Sequence, residues 1–239
     1  MPPATPTYLA LADLLERDVS GLASGDRVPS EHELVARHEV SRLTARAAVQ
    51  ELERRHLVRR VRGSGTFVAR RLDYRITADD PPSWSDTVRR AGGDPMRRVL
   101  GLGRVAAPSH VRDALGLRAR QRVVAVTRLG TVDGVVADAS TSWVPDDLVE
   151  HIDSFLHDGA SLYDALVARG TTPKRRWTTA ELAPVPAATA VHLELEGRPL
   201  VWRIMSCNED AATGRPVELG EGWMRPDVYR ITLELGSRP

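Results

Sequence analysis

The residues best suited to bind a polyanion form one cluster in the first third of the chain. Seven arginines lie between residues 54 and 71 with no aspartate or glutamate among them: Arg54, Arg55, Arg59, Arg60, Arg62, Arg70 and Arg71. Such a cluster can neutralise phosphate groups, but a solvated basic surface has the same composition. The positions of the arginines relative to local structure must decide between these two interpretations.

A second group of polar side chains lies just before this cluster. Ser41 is placed to cap a helix that runs to about residue 55, and Arg42, Thr44 and Arg46 lie in its first turns. Arginine can donate two hydrogen bonds to guanine, and serine or threonine can bond phosphates or bases. The alternative is structural: Ser41 then only caps the helix, and Arg46 only faces solvent.

A glycine-containing turn is the third candidate. Residues 57–61 and 66–69 are β-prone, and Arg62-Gly63-Ser64-Gly65 separates them. This pattern predicts a hairpin with a basic tip, where glycine lets the backbone approach a phosphate or a minor groove closely. The alternative is that the glycines only make the turn.

Three helices must position these residues. Apolar spacing predicts a helix over 7–19, Ser30 and Glu33 form a capping-box pattern before a second over 31–38, and the third follows almost at once. Two helices joined by so short a turn form a helix-turn-helix, and the hairpin after them completes a winged helix. We therefore expect a DNA-binding domain over 1–72 and a linker over 73–82, which contains Asp79-Asp80-Pro81-Pro82.

The remaining residues, 83–239, predict an α+β domain. β-prone runs cover 98–106, 122–132, 135–143, 175–182, 200–208, 217–224 and 229–235, and helical patterns cover 84–91, 109–115, 161–169 and 187–193. A unit of strand, short helix and arginine-bearing strand recurs, with Val105-Ala106-Ala107-Pro108 matched to Glu181-Leu182-Ala183-Pro184 and Arg128 to Arg203. Duplicated units of this kind commonly leave a cleft between their copies, where a ligand can bind.

Composition excludes several classes of protein. The 239 residues suffice for two domains, and the net charge is only +1. No apolar run approaches the roughly 20 residues that span a bilayer, and the first residues lack the pattern of a secretory signal. The single cysteine, Cys207, excludes an intramolecular disulfide, and the seven histidines lack paired metal-ligand spacing. We expect a cytoplasmic protein with no cofactor, no metal and no membrane partner.

The first domain resembles the winged helix-turn-helix of GntR-type bacterial transcription regulators. The resemblance rests on four linked motifs: Gly25-Asp26-Arg27-Val28-Pro29-Ser30-Glu31, Val40-Ser41-Arg42-Leu43-Thr44-Ala45-Arg46, Leu57-Val58 and Gly63-Ser64-Gly65-Thr66-Phe67-Val68. It implies that Arg42, Thr44 and Arg46 contact operator DNA and that Gly63 and Ser64 form the wing tip. One position departs from the family pattern: His32 follows the Ser30-Glu31 pair, where the family often has arginine.

The second domain resembles the UTRA effector-binding domain of the HutC subfamily, whose fold is similar to chorismate lyase. The motifs that carry the resemblance are Ser83-Trp84-Ser85, Gly92-Gly93, Arg128-Leu129 with Asp133-Gly134, Trp143-Val144-Pro145, Ser161-Leu162-Tyr163, Gly214-Arg215-Pro216-Val217-Glu218 and Arg225-Pro226-Asp227. By resemblance, Ser85, Arg128, Ser161 and Tyr163 would hold the anionic group of the effector, and Glu218 would bind its hydroxyl or amine groups. Gly130 replaces a second strand arginine and Ser140 replaces an acidic residue, so we expect an effector other than an ordinary phosphosugar. For Ser161 the alternative is helix capping, and for Tyr163 it is core packing.

The two resemblances together imply a transcription regulator of the repressor type, which binds a palindromic operator as a homodimer and responds to a small anionic or polar metabolite. The alternative from another class is an enzyme of chorismate-lyase-like fold acting on a small acid. Against this alternative, the sequence around Ser161 lacks the second glycine of a nucleophile elbow. The sequence also indicates no specific Ser/His/Asp or paired-carboxylate arrangement. A general DNA-coating protein is disfavoured by the slightly acidic balance after residue 71.

Overall fold

The computed structural model describes residues 7–23, 25–61, 63–69, 71–148 and 157–234. Arg62 and Arg70 of the arginine cluster lie outside these described residues. The chain divides into two compact units, Met1–Arg71 with Pro226–Val228 and Leu72–Arg225 with Tyr229–Pro239. Each unit is described by itself below.

The first unit is a winged helix, as the sequence predicts. Its elements are α1 (Tyr8–Ser20), α2 (Glu31–His38), α3 (Arg42–Arg54), β1 (Val58–Val61) and β2 (Gly65–Val68), and the two strands pair antiparallel. The predicted capping box forms: the Ser30 hydroxyl accepts from the Glu33 backbone N–H, and the Glu33 carboxylate accepts from that of Ser30. Glu39 ends α2 in the left-handed conformation (φ 53°), which keeps the turn to α3 short.

The apolar faces of the three helices make one core. It contains Leu11 and Leu15 of α1, Leu34 of α2 and Leu52 of α3, each with at most 1 % of its surface exposed. Burying a leucine side chain contributes about 1.5–3 kcal/mol. This core fixes α3 against α1 and α2. The opposite face of α3, which begins at Arg42, remains exposed.

The second unit is a mixed α/β structure built on a six-stranded antiparallel sheet. The strands of this unit are β3 (Leu72–Thr77), β4 (Pro95–Ala106), β5 (Arg122–Val132), β6 (Val135–Pro145), β7 (Pro173–Pro184), β8 (Leu200–Asp210), β9 (Pro216–Met224) and β10 (Tyr229–Glu234), six of them in the large sheet and two in a separate pair of β3 with β10. Its helices are α4 (Trp84–Arg90), α5 (Ser109–Leu115), α6 (Leu162–Val167) and α7 (Ala187–His192), with a 3-10 turn at Asp146–Leu148. The large sheet has the order β4-β5-β6-β9-β8-β7.

The predicted duplication is present, and it is longer than the sequence indicated. The series α4-β4-α5-β5-β6 is followed by α6-β7-α7-β8-β9, and the two halves meet where β6 pairs with β9. Pro108 precedes α5 and Pro186 precedes α7, so Pro108 is equivalent to Pro186 and the proposed match to Pro184 is wrong by two residues. Strand pairing is what corrects this alignment, because helix starts and sheet register are not visible in a short sequence match.

Register shifts identify further equivalent positions. The β5–β6 pairing shifts after Gly130, and the β8–β9 pairing shifts after Asn208. Gly130 is therefore equivalent to Asn208, and Arg128, two residues earlier, is equivalent to Ser206 rather than to Arg203.

Part of the stretch expected as a linker is instead a strand. Residues 72–77 form β3, which pairs parallel with β10 and belongs to the second unit. Leu72 and Ile76 are buried, whereas Asp79-Asp80-Pro81-Pro82 has the turn character that its composition predicts. Because the partner strand lies far along the chain, local composition could not reveal this pairing.

Candidate functional site

Two surfaces carry the residues singled out from the sequence, one in each unit. On the first unit, the Ser41 hydroxyl accepts a hydrogen bond from the Thr44 backbone N–H (3.0 Å) and shares a second one with the Thr44 hydroxyl (2.9 Å). Ser41 therefore caps α3 and orients Thr44. Arg42 is exposed beside them, and within the described part of the chain it makes no ion pair.

A carboxylate links the start of α3 to the hairpin. Arg46 donates from Nε to Glu31 Oε2 (3.2 Å), and Arg60 of β1 donates from Nη2 to Glu31 Oε1 (3.4 Å). Arg60 also lies 3.5 Å from a carboxylate oxygen of Glu53. All of these pairs are partly exposed, so water screens them and each contributes little to stability. Glu31 instead holds two arginines in fixed directions on one surface.

Two arginines of the cluster, Arg54 and Arg55, are paired with carboxylates of α1 and α3. Arg55 donates to Asp13, Glu16 and Glu51, and Arg54 donates two hydrogen bonds to Glu51. Hydrogen bonds from Arg54 and Arg55 lower the pKa of Glu51 to about 2. These acidic partners all precede residue 54 in the chain. The composition of residues 54–71 therefore overstates the positive charge that is free to bind a polyanion.

The hairpin tip has the geometry that its glycines predict. Gly63 and Gly65 have φ values of 78° and 123°, which side chains rarely adopt. The Ser64 backbone N–H closes the turn by donating to the carbonyl of Val61 (2.9 Å). Gly63 and Ser64 are both exposed. The wing tip therefore presents backbone without a bulky side chain at Gly63.

On the second unit, one cavity of about 120 Å³ collects all five residues expected to contact an effector. Its walls come from strands β3 to β9, with Tyr74 from β3 and Arg175 from β7, and from the first residues of α4 and α6. The five residues are Ser85, Arg128, Ser161, Tyr163 and Glu218. A water molecule needs roughly 10–15 Å³ by this kind of measure, so the cavity has room for a small metabolite.

Arg128 is the most informative of these residues. It is 8 % exposed, and its Nη2 donates to the Ser142 hydroxyl (3.1 Å). Its Nε has no hydrogen-bond partner among the residues that the structure describes. Burial lowers the pKa of Arg128 to about 10, and the neighbouring positive charge of Arg97 adds to this effect. A guanidinium in this state remains charged at neutral pH and would gain from an anion.

The other predicted side chains have more than one role. Ser161 accepts from the Asp164 backbone N–H (3.2 Å) and so caps α6, as Ser83 caps α4 by accepting from Asp86 (3.3 Å). Both serines also line the cavity. Ser85 is buried there, and Tyr163 is half-buried. Ser83 and Ser161 therefore cap their helices and line the cavity at the same time, so the capping role does not exclude contact with an effector.

Sequence reasoning missed an ion pair at the centre of the cavity wall. Arg97 donates from Nη1 to Asp138 Oδ2 (2.6 Å) and lies 3.7 Å from the centre of the Trp84 ring. A Cβ at Gly130 would lie 2.9 Å from Arg97 Nη1 and clash with Asp138. Arg97 also donates to the Ser140 hydroxyl (3.3 Å). Gly130 and Ser140 are the two departures from the family pattern, and both lie next to the guanidinium of Arg97, which comes from β4.

These two units define a class: a winged helix with a polar recognition surface, joined to a duplicated α/β domain with an arginine-lined cavity. Two family models match the chain, "Bacterial regulatory proteins, gntR family" over residues 7–68 and "UTRA domain" over residues 90–230. The protein belongs to the GntR-type regulators that carry a UTRA domain, and it is a transcription regulator rather than an enzyme.

Known relatives agree along nearly the whole chain. The HTH-type transcriptional regulator GgaR of Escherichia coli strain K12 is 29 % identical over 232 residues, covering 96 % of this chain and 91 % of GgaR. The probable transcriptional regulator PhnF of the same strain is 28 % identical over 238 residues, covering 98 % and 97 %. The crystal structure of PhnF from Mycobacterium smegmatis is similar in fold, with a TM-score of 0.66, 26 % identity, and coverage of 95 % and 99 %. Within the described residues, no helix combines the length and apolar character needed to cross a membrane.

Proposed function

We propose that this regulator is a repressor that binds a two-fold symmetric operator as a homodimer and responds to a small anionic or polar metabolite bound in the cavity. One observation carries the effector half of this proposal. Arg128 is buried, charged, and without a carboxylate hydrogen-bond partner among the described residues. A buried charge is costly unless it is paired, so an anionic group is the ligand that this site favours.

The contacts to DNA are assigned to the exposed surface of α3 and to the wing. Arg42 and Arg46 supply charge and forked donors, Thr44 supplies a hydroxyl, and Gly63 and Ser64 let the wing backbone come close to DNA. Ser41 contributes by fixing the first turn of α3. A homodimer would repeat this surface about a two-fold axis, which is the reason for expecting a palindromic operator on the bacterial chromosome and a site of action in the cytoplasm.

The effector is expected to change the affinity for DNA, since a ligand shifts an equilibrium only through different affinities for two states. Ser85, Ser161 and Tyr163 would add hydroxyl donors around the anion. Arg97 lies beside Gly130, where the family pattern has a second arginine, but Asp138 neutralises it, so Arg128 supplies the charge for the anion. An anionic effector therefore remains favoured despite that substitution.

The test is binding of the full-length protein to its own promoter DNA at two salt concentrations, with phosphosugars, amino acids, carboxylates and phosphonates added in turn. Selective, salt-sensitive binding that one anionic metabolite weakens is the expected result. In Arg128→Ala the DNA affinity should remain and the metabolite response should be lost. Arg118→Ala, which removes an exposed arginine outside the cavity, is the matched control.

Two results would overturn parts of the proposal. Selective DNA binding that responds equally in wild type and Arg128→Ala would remove Arg128 from the effector site. A protein that shows no preference for its promoter over unrelated DNA would contradict the assignment of an operator there.

A further inference from the structure

The two halves of the duplicated domain place a carboxylate at equivalent points of the cavity wall, but they treat it differently. Asp138 pairs with Gly130 across β5 and β6, and Glu218 pairs with Asn208 across β8 and β9. In the first half, Arg97 neutralises Asp138 through a hydrogen bond of 2.6 Å. In the second half, the residue against the carboxylate is the neutral Asn208.

Asn208 has a fixed orientation with one unused atom. Its Nδ2 donates to Glu218 Oε2 (2.8 Å), and because a carboxylate only accepts, the amide oxygen must face away from Glu218. Asn208 is 3 % exposed and lines the cavity, and its Oδ1 has no hydrogen-bond partner within the described ranges. Native proteins rarely leave a buried acceptor unsatisfied, so this atom indicates a missing donor.

Glu218 also lacks a contacting cation. Arg175 occupies the position in β7, opposite Asn208, that Arg97 occupies in β4 opposite Gly130. Arg175 donates its Nε to the Thr77 carbonyl (3.2 Å), and no ion pair joins it to Glu218 in the described part of the structure. We call Asn208 and Glu218 the acceptor pair, since together they offer oxygen atoms and a carboxylate with no cation at ion-pair distance among the described residues. The charges of Arg128 and Arg175, which line the same cavity, act on Glu218 only from a longer distance.

The acceptor pair and Arg128 border the same space. A Cβ added at Gly220 would lie 3.7 Å from Glu218 Oε1 and 3.9 Å from the hydroxyl of Ser142, which is the residue that accepts from Arg128. The absence of a side chain at Gly220 leaves the space beside these two atoms open. A small molecule in this space can therefore contact a cationic donor at one end and the acceptor pair at the other.

We propose that the acceptor pair binds an ammonium group, so that the effector is a small zwitterion with an anionic group on Arg128 and an amine on Asn208 and Glu218. This inference rests on the proposed function of the cavity and narrows its ligand class. A hydroxyl group brings one donor and no charge. An ammonium group brings three donors and a positive charge, which suits both acceptors and the unpaired carboxylate.

The experiment is calorimetry on the full-length protein with matched probes. The probes are inorganic phosphate, 2-aminoethyl phosphate and 2-hydroxyethyl phosphate, with the pair 3-aminopropanoate and 3-hydroxypropanoate to distinguish phosphoryl from carboxylate binding. In at least one pair, the amino compound should bind about tenfold or more tightly than its hydroxy analogue. Asn208→Ala should reduce this preference while leaving the affinity for inorganic phosphate within about twofold.

A second variant guards against misfolding of Asn208→Ala. Gly220→Ala adds a methyl group that meets only ordinary contacts, so the fold should persist while binding of the two-ended amino probe falls. Gly103→Ala is the matched control, because a Cβ there meets nothing within 4 Å and the residue lies outside the cavity wall.

The outcomes separate this inference from the proposed function. If phosphate or carboxylate binds through Arg128 but the amino and hydroxy analogues bind equally, the ammonium site is wrong and the anion site remains. Equal losses for all probes in Asn208→Ala would assign Asn208 a purely structural role and also overturn the inference. If none of the probes binds to wild type, both the anion site and the ammonium site are contradicted.

Discussion

Arg97 and Asp138 form an ion pair between β4 and β6 in which both side chains are at most 5 % exposed and 2.6 Å separates Nη1 from Oδ2. The guanidinium lies over the Trp84 ring and close to Gly130. This pair sets the shape of one half of the cavity wall. It also explains why a side chain is absent at position 130.

Replacing Gly130 with alanine should destabilise the second unit. The added Cβ would overlap Asp138 Oδ1 and lie 2.9 Å from both Arg97 Nη1 and Trp84 Cζ2. Overpacking of this kind costs about 1–3 kcal/mol. Urea denaturation followed by tryptophan fluorescence would measure it, since all five tryptophans lie in this unit. Gly103→Ala is the control, and equal stability of the two variants would contradict the packing at Gly130.

Removing only one member of the Arg97–Asp138 pair should cost more than removing both. Asp138→Ala leaves a buried guanidinium without its carboxylate, for which about 3–5 kcal/mol is expected. The double variant Arg97→Met with Asp138→Ala removes the uncompensated charge and should recover part of that loss. Equilibrium unfolding of the two single variants and the double variant gives the coupling energy. Strictly additive losses would show that the two groups do not interact.

Arg42→Ala should weaken binding to operator DNA. Arg42 is exposed in the first turn of α3 and makes no ion pair within the described residues, so its charge is available for DNA. Loss of a base contact would cost about 1–3 kcal/mol, whereas loss of a phosphate contact would lower the salt dependence of binding by about one ion. Fluorescence anisotropy at several salt concentrations distinguishes these cases. Arg17→Ala on α1 is the control, and unchanged affinity and salt dependence in Arg42→Ala would remove Arg42 from the interface.

Acid should destabilise the winged helix through Glu51. Its pKa is lowered to about 2 from an ordinary value of 4.5 by hydrogen bonds from Arg54 and Arg55. A carboxyl group whose pKa is lower in the folded state stabilises the fold above pH 4.5, and this contribution is lost as the pH falls toward 2. In Glu51→Gln, unfolding measured by circular dichroism should depend less steeply on pH between 5 and 2.

Glu53→Gln, on the same helix, is the control for that titration. If Glu51→Gln and wild type lose stability in parallel over this range, the ion network around Glu51 does not contribute to the acid response.

Local patterns in the sequence were sufficient for most individual elements. The capping box at Ser30 and Glu33 and the cap at Ser41 predicted the starts of α2 and α3, because capping depends on residues three apart. The glycines at 63 and 65 predicted the wing for a similar reason. The strand at 72–77 was not predicted, since its partner, β10, lies at the other end of the chain.

The candidate site was predicted in part. Ser85, Arg128, Ser161, Tyr163 and Glu218 were found by resemblance, and they do line one cavity. Arg97 and Asn208 were not found. Arg97 is followed directly by Arg98, and Asn208 by Glu209 and Asp210, so the sequence does not show which of these neighbouring polar side chains faces the cavity.

The sequence by itself determined the class of the protein, the winged helix and the duplicated α/β domain, because caps, turns and apolar periodicity act over a few residues. Only the tertiary structure decided which charges remain free. Glu51 neutralises Arg54 and Arg55, Asp138 neutralises Arg97, and Arg128 and Glu218 are left without a contacting partner of opposite charge among the described residues. Glu51 reaches Arg54 and Arg55 within about one helical turn at the end of α3. Arg97 and Asp138, in contrast, are 41 residues apart in the chain, and the sheet register brings them together.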